Sequence, residues 1–419
     1  MNIIASTYRR LFSIREIEDT HVLQLVFGAT IFSYFLAFQS WISGTALTLD
    51  SVARATHVCK PFFQECAQWY FLRALPEGYS QTFLYMTFFA LLFTAVYFAY
   101  QKKWVLAHLV LIPVFVWHTL VVFVLTELGI GNYDYYLICF AFVLLFIPHK
   151  EFFLKLCLVL FYFLSTAAKL HETWILGTYF SALKTGLPLF PDWAIPFMTN
   201  WVIFMEMVAA WFLLSKRMIM QRAVFVFFAM FHLYSGLLVE YRYPATVLPT
   251  LFILFGPLYR FQEVSLDKRS LAGWALVALL FVGQMMPIAI YGDEKLTLEG
   301  NTYGLYMFEA NHQCISTTRT VFADGTVQEW RGESISSRDR CDPYRAWFRI
   351  HSRCKALGAR VDRVEWTFDH SINGGPFLRI VDVSDACVLE YHPFRHNVWI
   401  KTEYDSPPIM GYPVENVYD

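Results

Sequence analysis

Nine apolar segments, most of them long enough for a helix that crosses a lipid bilayer, lie within the first 290 residues of the chain. A spanning helix needs about 20 mostly apolar residues, because it must cover about 30 Å of hydrocarbon. The segments cover residues 22–46, 80–100, 104–126, 134–147, 151–169, 196–215, 221–240, 244–259 and 270–290. The fourth and eighth are short, so we expect them to be tilted or to cross incompletely, and the count has an error of about one.

Charged side chains divide the chain into two regions that suit different solvents. The first 290 residues hold 34 Asp, Glu, Lys and Arg, whereas the last 129 hold 33. A soluble protein has about a quarter charged residues, which the second region matches and the first does not. This distribution excludes a soluble enzyme, a disordered chain and a fibre. The net charge of −1, without a basic stripe, excludes a nucleic-acid binder.

The sequence therefore predicts a polytopic α-helical membrane bundle of about nine transmembrane helices, followed by an extracytoplasmic α+β domain rich in antiparallel strands. The expected domains are residues 1–290 and 291–419. Every second loop between the segments is basic, as the positive-inside rule requires of cytoplasmic loops. We therefore expect an integral membrane protein with its N-terminus in the cytoplasm. Nine crossings then place the C-terminal domain outside, in the periplasm or extracellular space or in the ER lumen.

Six of the eight cysteines lie in polar segments, and the predicted topology places all six on the same oxidising side. They are Cys59, Cys66, Cys314, Cys341, Cys354 and Cys387. Six is an even number, so up to three disulfide bonds are possible in such a compartment. Cys139 and Cys157 lie in apolar runs, where a thiol packs as a small hydrophobic group. No CxxC motif is present, and we expect no metal site.

Two segments outside the predicted helices are expected to face the outer side. The loop 47–79 carries Cys59 and Cys66, and we expect it to fold against the outer domain. Residues 171–195 are amphipathic, which predicts an interfacial or re-entrant segment with Trp174 and Trp193 at the level of the lipid headgroups.

The outer domain shows signals for one hairpin, one helix and three more strands. The hairpin is expected over 314–332 around the turn Ala-Asp-Gly, because β-branched residues flank a turn sequence. A helix is expected from Asp342 to a stop at Gly358. The further strands are expected over 363–372, 375–383 and 396–404.

Ionisable side chains at membrane depth are costly, so they are candidates for function. His118 is expected either to serve function or to be a hydrogen-bonded histidine of the bundle. Glu206 lies ten residues into its segment, either as a functional group or as a partner for Lys or His on a neighbouring helix. Lys169 ends the fifth segment in the run FLSTAAKLHETW. It either extends its amine to the outer interface or lies in a pocket, where loss of water would let it act as a general base.

The run AAKLHETWILG resembles the hallmark of the HTTM membrane family, which includes the vitamin K-dependent γ-glutamyl carboxylases. In that family a lysine, a leucine, a tryptophan and a glycine close a spanning helix, and Lys169, Leu170, Trp174 and Gly177 match them. The further matching elements are, in chain order, Asn132 with Tyr135, Phe231-His232, Tyr243-Pro244, Ser371–Asn373, Arg379–Asp382 and His392–Trp399. One departure is Tyr133, which stands where the family has a histidine after the asparagine.

The resemblance implies a membrane-embedded carboxylase, a carbon–carbon lyase that couples quinol oxidation to carboxylation of glutamate. Its cofactor is reduced vitamin K or a related quinol, with O2 and CO2 as co-substrates. Its partners are the lipid bilayer and an exported glutamate-containing peptide or protein. Lys169 is then the catalytic base. Residues implied to bind the substrate or quinone are Asn132, His232, Trp174 and Tyr243. Possible accessory residues are Tyr133, His171, His118 and Glu206.

Two other functions stay open from the sequence. A protein of the same fold may handle a quinone or another lipid, or mature a peptide, without carboxylating it. Alternatively, the chain is a non-catalytic lipid-binding scaffold or receptor, in which Lys169 only reaches toward the interface.

Overall fold

The computed structural model describes residues 2–43, 58–66, 79–125, 131–181, 183, 186–238, 241–264, 266–306, 310–334, 341–402, 409 and 411–412. The helices are α1 (Asn2–Leu11), α2 (Ile14–Asp19), α3 (His21–Ser43), α4 (Tyr79–Tyr100), α5 (Trp104–Leu120), α6 (Asn132–Phe146), α7 (Lys150–Thr166), α8 (Glu172–Ile175), α9 (Thr178–Ser181), α10 (Ile195–Met207), α11 (Met218–Leu238), α12 (Arg242–Phe255), α13 (Leu271–Ala289), α14 (Glu294–Thr297) and α15 (Pro343–Leu357). The strands are β1 (His312–Phe322), β2 (Val327–Ser334), β3 (Val361–Ile372), β4 (Phe377–Val383) and β5 (Gly411–Tyr412).

Within the described residues, seven helical segments are long and apolar enough to cross a membrane. They are His21–Ile42, Phe83–Tyr100, Trp104–Val124, Lys150–Lys169, Asp192–Leu214, Met218–Leu238 and Leu271–Ala289. The apolar helices α6 and α12 are shorter, and they correspond to the two short segments expected from the sequence. The helical, apolar character of this region is therefore confirmed, whereas the number of crossings stays a prediction.

Chain contacts divide the protein into two compact units. The first unit comprises Met1–Cys59, Glu65–Thr166 and Phe204–Phe281, and the second comprises Lys60–Gln64, Ala167–Ile203 and Val282–Asp419. The first unit is helical, with a core rich in large aromatic side chains such as Trp41, Tyr34 and Phe38, all fully buried.

The start of α7 shows how the N-terminal segment supports the helical unit. Ser13 has a positive φ of 50° and separates α1 from α2, so the chain turns between these two short helices. Glu16 of α2 then accepts hydrogen bonds from the backbone amides of His149 and Lys150, at 3.0 and 2.8 Å. A carboxylate at this position satisfies amides that lack a partner within the helix and also complements the helix dipole.

The second unit is built on an antiparallel sheet with the strand order β2-β1-β3-β4-β5. The β1–β2 hairpin turns at Gly325, whose φ of 84° favours glycine. Helix α15 begins where Asp342 accepts a hydrogen bond from the Tyr344 amide at 2.9 Å, and it ends at Gly358 with φ 55°. The expected hairpin, this helix and the strands over 363–372 and 375–383 are confirmed.

The strand expected over 396–404 is wrong in the part that the structure describes. Residues 396–402 form turns rather than a strand. The Asn397 side chain accepts a hydrogen bond from the His392 amide at 2.6 Å and donates one to the Glu299 carboxylate at 2.7 Å. A short polar side chain that bonds nearby backbone holds the chain in a turn, so the β-branched residues of this run do not decide its structure.

Part of the predicted outer loop 47–79 belongs to the second unit. Among its residues, the structure describes 58–66 and the start of α4. Gln64 donates a hydrogen bond to the Tyr391 carbonyl at 2.9 Å, and the Lys60 amine donates one to the Thr302 hydroxyl at 3.0 Å. These contacts hold Lys60 and Gln64 within the sheet unit, as expected for this part of the loop. The other residues of the loop lie outside the described ranges.

The six cysteines of the polar segments form three disulfide bonds, which confirms the expectation of paired cysteines. The pairs are Cys59–Cys66, Cys314–Cys341 and Cys354–Cys387. Cys139 and Cys157 are free and buried, as expected of thiols in apolar helices.

We expect a disulfide bond that closes a longer loop to contribute more to stability, with the logarithm of the loop length. The Cys354–Cys387 bond closes 33 residues and the Cys59–Cys66 bond closes 7. Loop-closure entropy predicts losses of about 3–4 and about 2 kcal/mol when each pair is replaced by serine. Thermal unfolding of the two serine variants measures each loss, and unfolding of the wild-type protein under reductant measures the three bonds together. An unchanged melting temperature under reductant would contradict this account.

The stability of the sheet unit is expected to fall in acid because of His370. Its imidazole is fully buried, contacts the Leu296 carbonyl at 2.8 Å and lies 2.9 Å from His312. Burial and the neighbouring His312 lower the pKa of His370 to about 3. The unfolded histidine binds a proton below about pH 6.5 and the folded one does not, so stability decreases by up to about 1.4 kcal/mol per pH unit between those values.

Denaturant unfolding at pH 7.5, 6, 5 and 4 measures this dependence. The His370→Gln variant is less stable at neutral pH but is expected to have a shallower slope below pH 6. An identical slope in the two proteins would show that other groups cause the acid sensitivity.

Candidate functional site

Lys169 lies at the end of the helical segment that begins with α7. After Thr166 the chain tightens into a 3-10 turn over Ala167–Lys169, in which the two alanines leave little side-chain volume. The Lys169 side chain is only 1% exposed, and its amine lies 5.6 Å from the centre of the Trp174 ring. The turn therefore holds the amine away from water, beside the face of an aromatic ring.

Trp174 is fixed by its own contacts in the second unit. Its indole N–H donates a hydrogen bond to the Thr199 carbonyl at 3.1 Å, and its ring packs against Tyr179 and Phe180. The side chain is 3% exposed, so the expectation that Trp174 lies at headgroup level is wrong: the ring fills the interior beside Lys169. Trp193 is 84% exposed, as a headgroup-level residue would be.

His171 connects the lysine turn to a motif of the sheet. The His171 ring nitrogen Nδ1 lies 2.7 Å from the Thr173 hydroxyl, which accepts a hydrogen bond from the Asn373 side chain at 3.0 Å. Asn373 has φ 53° and also exchanges hydrogen bonds with the backbone of Asn311. The structure thus brings together the run around Lys169 and the Ser371–Asn373 motif, two elements on which the family resemblance rests. We call Lys169, His171, Thr173, Trp174 and Asn373 the lysine cluster.

A second group of polar side chains lies in the helical unit. The Tyr162 hydroxyl lies 2.7 Å from His232 Nε2, and the Tyr243 hydroxyl donates to that of Tyr136 at 3.3 Å. The rings of His232 and Tyr243 lie 5.3 Å apart, which joins the two pairs. We call these four residues, supplied by α6, α7, α11 and α12, the tyrosine–histidine cluster. It contains two of the residues expected to bind the quinone, His232 and Tyr243.

Glu206 of α10 belongs to the surroundings of this cluster. Its carboxylate accepts a hydrogen bond from the Thr166 hydroxyl at 2.7 Å and is 3% exposed. It also acts electrostatically on the phenols of Tyr136, Tyr162 and Tyr243. Thr166 is three residues before Lys169, so the helix that supports the lysine turn carries a bond to this buried carboxylate.

His118 forms a separate buried pair with Asp134. The His118 Nε2 atom lies 3.1 Å from the Asp134 carboxylate, and both side chains are fully buried. The His118 ring stacks on Trp41 with centres 5.0 Å apart, and the other Asp134 oxygen accepts from the Gly131 amide at 3.0 Å. Within the described part of the chain, His118 Nδ1 has no hydrogen-bond partner. These contacts favour a hydrogen-bonded histidine of the bundle.

Asn132 and Tyr133 begin α6, one turn before the cluster residue Tyr136. Both residues are half-buried, and Tyr133 lines a cavity together with Arg242 at the start of α12. The described contacts do not bring Tyr133 into the tyrosine–histidine cluster.

The remaining motifs of the resemblance have structural contacts in the sheet unit. Arg379 forms two hydrogen bonds with Asp369 across neighbouring strands, at 2.8 and 3.2 Å. His396 and Asn397 of the His392–Trp399 run both bind the carboxylate of Glu299, which is 2% exposed. These hydrogen bonds satisfy the buried carboxylates of Asp369 and Glu299. A structural role is therefore sufficient to account for Arg379, His396 and Asn397.

Sequence reasoning missed Tyr136 and Tyr162 of the tyrosine–histidine cluster, and Thr173 of the lysine cluster. Tyr136 and Tyr162 lie in helices crowded with aromatic residues, in a chain with 24 Tyr and 41 Phe. Nothing in the local pattern distinguishes them from packing residues, since their role depends on which helices become neighbours. No group of three or more His, Cys, Asp or Glu side chains among the described residues has the arrangement of a metal site.

The candidate residues therefore lie in two groups, the lysine cluster and the tyrosine–histidine cluster, each held by its own hydrogen bonds. Asn132 and Tyr133, and the pair of His118 with Asp134, are nearby elements of the helical unit. The chain was compared with models of protein families, with curated proteins and with solved structures, and none of these comparisons gives a match.

Proposed function

We propose that the chain is an integral membrane enzyme that uses a quinol to carboxylate glutamate in an exported peptide or protein. The observation that carries the proposal is the nearly complete burial of the Lys169 amine beside Trp174. An ammonium group is expensive to bury, so a buried lysine at the end of an apolar helix is a candidate for function. A lysine kept in such a position is a candidate for proton transfer.

The placement in a membrane rests on apolar helices with exposed surfaces. Only 22% of Phe83–Tyr100 and 17% of Leu271–Ala289 is buried, although both are strongly apolar. Apolar surfaces of this size are unfavourable in water, whereas contact with lipid chains is favourable for them. The three disulfide bonds favour an oxidising compartment for the sheet unit, in line with an extracytoplasmic domain.

The residues of the two clusters fit a quinol. Its head group is planar and apolar on both faces, with hydroxyl groups at its edges. The tyrosine–histidine cluster combines phenols and an imidazole with aromatic walls, since Phe228 stacks on Tyr162 at 4.0 Å and Phe161 lies 4.2 Å from Tyr136. The lysine cluster combines an amine with the face of an indole ring. Such side chains can orient the quinol by its hydroxyls and cover its faces.

In the proposed reaction, Lys169 accepts a proton from a quinol hydroxyl, and Trp174 and Thr199 keep the amine in place. The resemblance assigns the binding of the head group to His232, Tyr243 and Asn132. When bound, the quinol reacts with O2 to supply a base strong enough to remove a proton from the glutamate γ-carbon, which then adds CO2. The sheet unit would present the peptide.

The test is the incorporation of labelled CO2 into a glutamate-rich peptide by the purified full-length protein. We expect incorporation that requires reduced vitamin K, O2 and the protein together, with the label in the γ-carboxyl group. Omission of the quinol and omission of O2 are the controls. No labelled peptide in the complete mixture would contradict the proposed carboxylation.

A second function is favoured by Tyr133, which stands where the family of the resemblance has a histidine. Without an imidazole at this position, the protein would oxidise or hold a quinone without carboxylating a peptide. The same assay separates the two functions, because this alternative consumes quinol and leaves the peptide unlabelled. A scaffold or receptor would do neither.

A further inference from the structure

A cavity of about 60 Å³ lies in the helical unit between the C-terminal half of α3 and the starts of α6 and α12. Its lining residues are Ser33, Leu36, Ala37, Gln39, Ser40, Tyr133, Leu137, Tyr241, Arg242 and Thr246. The buried wall combines the apolar Ala37 and Leu137 with the hydroxyl-bearing Ser33 and Thr246, whereas Tyr241 and Arg242 are exposed at the rim. The cavity is thus apolar and hydroxylated inside and cationic at its opening.

The electrostatics of the cavity favour an anion. Arg242 is the first residue of α12 and Tyr133 the second of α6, so two helices of 14 and 15 residues begin at the cavity. The N-terminal end of each helix carries a partial positive charge, which adds to that of the guanidinium. Among the residues that the structure describes, the lining contains no carboxylate. Asp134, on the same turn of α6, is bonded to His118 and to the Gly131 amide and does not line the cavity.

Two phenols accompany the guanidinium in the lining of the cavity. They belong to Tyr133 of α6 and to Tyr241, which directly precedes α12. An arginine presents a planar set of donors, which suits the oxygens of a phosphate better than a mobile lysine would. The apolar residues behind it offer a place for the first carbons of a chain attached to that phosphate.

We propose that this cavity binds the phosphate group of an anionic amphiphile, with Arg242 as its principal contact. The ligand class is a phosphate ester that carries an apolar chain, as in an anionic phospholipid. The site is independent of the quinol chemistry proposed above, because Arg242 belongs to neither cluster.

The test uses the full-length protein, purified in an uncharged detergent and stripped of lipid. The probes are dioctanoyl phosphatidylglycerol, dioctanoylglycerol, which has the same chains without phosphate, and inorganic phosphate. Binding is measured by the rise in melting temperature and by native mass spectrometry. We expect phosphatidylglycerol to bind and dioctanoylglycerol not to bind. Binding of inorganic phosphate as well would show that the anion alone is sufficient, and its absence would assign the site to the lipid; both results support the proposal.

The variants connect binding to the cavity. Arg242→Gln is expected to weaken phosphatidylglycerol binding at least about tenfold, as loss of a charge-assisted hydrogen bond should. Arg260→Gln is the matched control, since Arg260 is an exposed arginine beyond the other end of α12 and does not line the cavity. If Arg242→Gln fails to fold, Ser40→Phe obstructs the half-buried rim without a change of charge and is expected to reduce binding similarly. Equal binding of dioctanoylglycerol, or equal losses in the Arg242 and Arg260 variants, would overturn the proposal.

Discussion

Replacement of Lys169 by methionine is expected to reduce quinol-dependent carboxylation by about 10²–10⁴-fold, the usual contribution of a general base. Methionine keeps most of the length and apolar character of the side chain, so the packing against Trp174 should survive while the amine is lost. Because the amine is 1% exposed and has a fixed position, no water molecule can readily take its place. Initial rates of labelled CO2 incorporation, per folded molecule, measure the effect.

Two further variants distinguish the chemistry of Lys169 from its packing. Lys169→Arg keeps the positive charge but cannot give up a proton near neutral pH, so it should be nearly as inactive as the methionine variant. Lys155→Met is the matched control, because Lys155 lies in the same helical segment, is 2% exposed and stands 4.9 Å over the Tyr259 ring. It also pairs with Glu151 at 2.6 Å. We expect Lys155→Met to lower stability and to leave the rate per folded molecule unchanged; equal losses at both positions would assign Lys169 a purely structural role.

Asp134→Asn is expected to destabilise the helical unit by about 3–5 kcal/mol, because it removes the charge from a fully buried pair. The Asp134 carboxylate binds both His118 and the amide of Gly131, so one side chain connects α5 to the start of α6. Asparagine can still accept one of these hydrogen bonds, but it cannot supply the negative charge. Thermal unfolding in detergent, followed by circular dichroism, measures the loss.

The chain offers an exposed pair of the same kind as a control. His149 and Asp267 lie 3.0 Å apart, but their side chains are 32% and 49% exposed. Water screens this pair, so Asp267→Asn should lower the melting temperature much less than Asp134→Asn does. Equal losses of stability in Asp134→Asn and Asp267→Asn would show that the buried pair contributes no more to stability than the exposed pair does.

The fold was predictable where a single local signal decides the structure. The hairpin around Gly325 and the helix from Asp342 to Gly358 have turn and cap residues at the required positions, and both are present. The apolar segments were predictable from length and composition, and the two shorter helices are those expected to be short. The strand over 396–404 failed because its structure depends on a distant residue, Glu299, which binds Asn397. Local β propensity contains no information about such a partner.

The candidate site was predictable only in part, for a similar reason. A buried ionisable residue at the end of an apolar segment is visible in a sequence, so Lys169, Glu206 and His118 could be selected. Their partners Trp174, Thr166 and Asp134 depend on side-chain directions and on which helices pack together. Trp174 was placed at the lipid surface because tryptophan is common there, yet its ring is buried beside the lysine.

The most direct test of the central claim measures quinol oxidation and CO2 fixation in the same reaction mixture. If Lys169 starts the reaction by taking a proton from the quinol, the wild-type protein will oxidise quinol and fix at most one CO2 for each quinol consumed. In that case Lys169→Met will lose both activities together, whereas Lys155→Met will keep both. Quinol oxidation that continues at the wild-type rate in Lys169→Met, or no quinol oxidation by the wild-type protein, would contradict the assignment of Lys169 as the base.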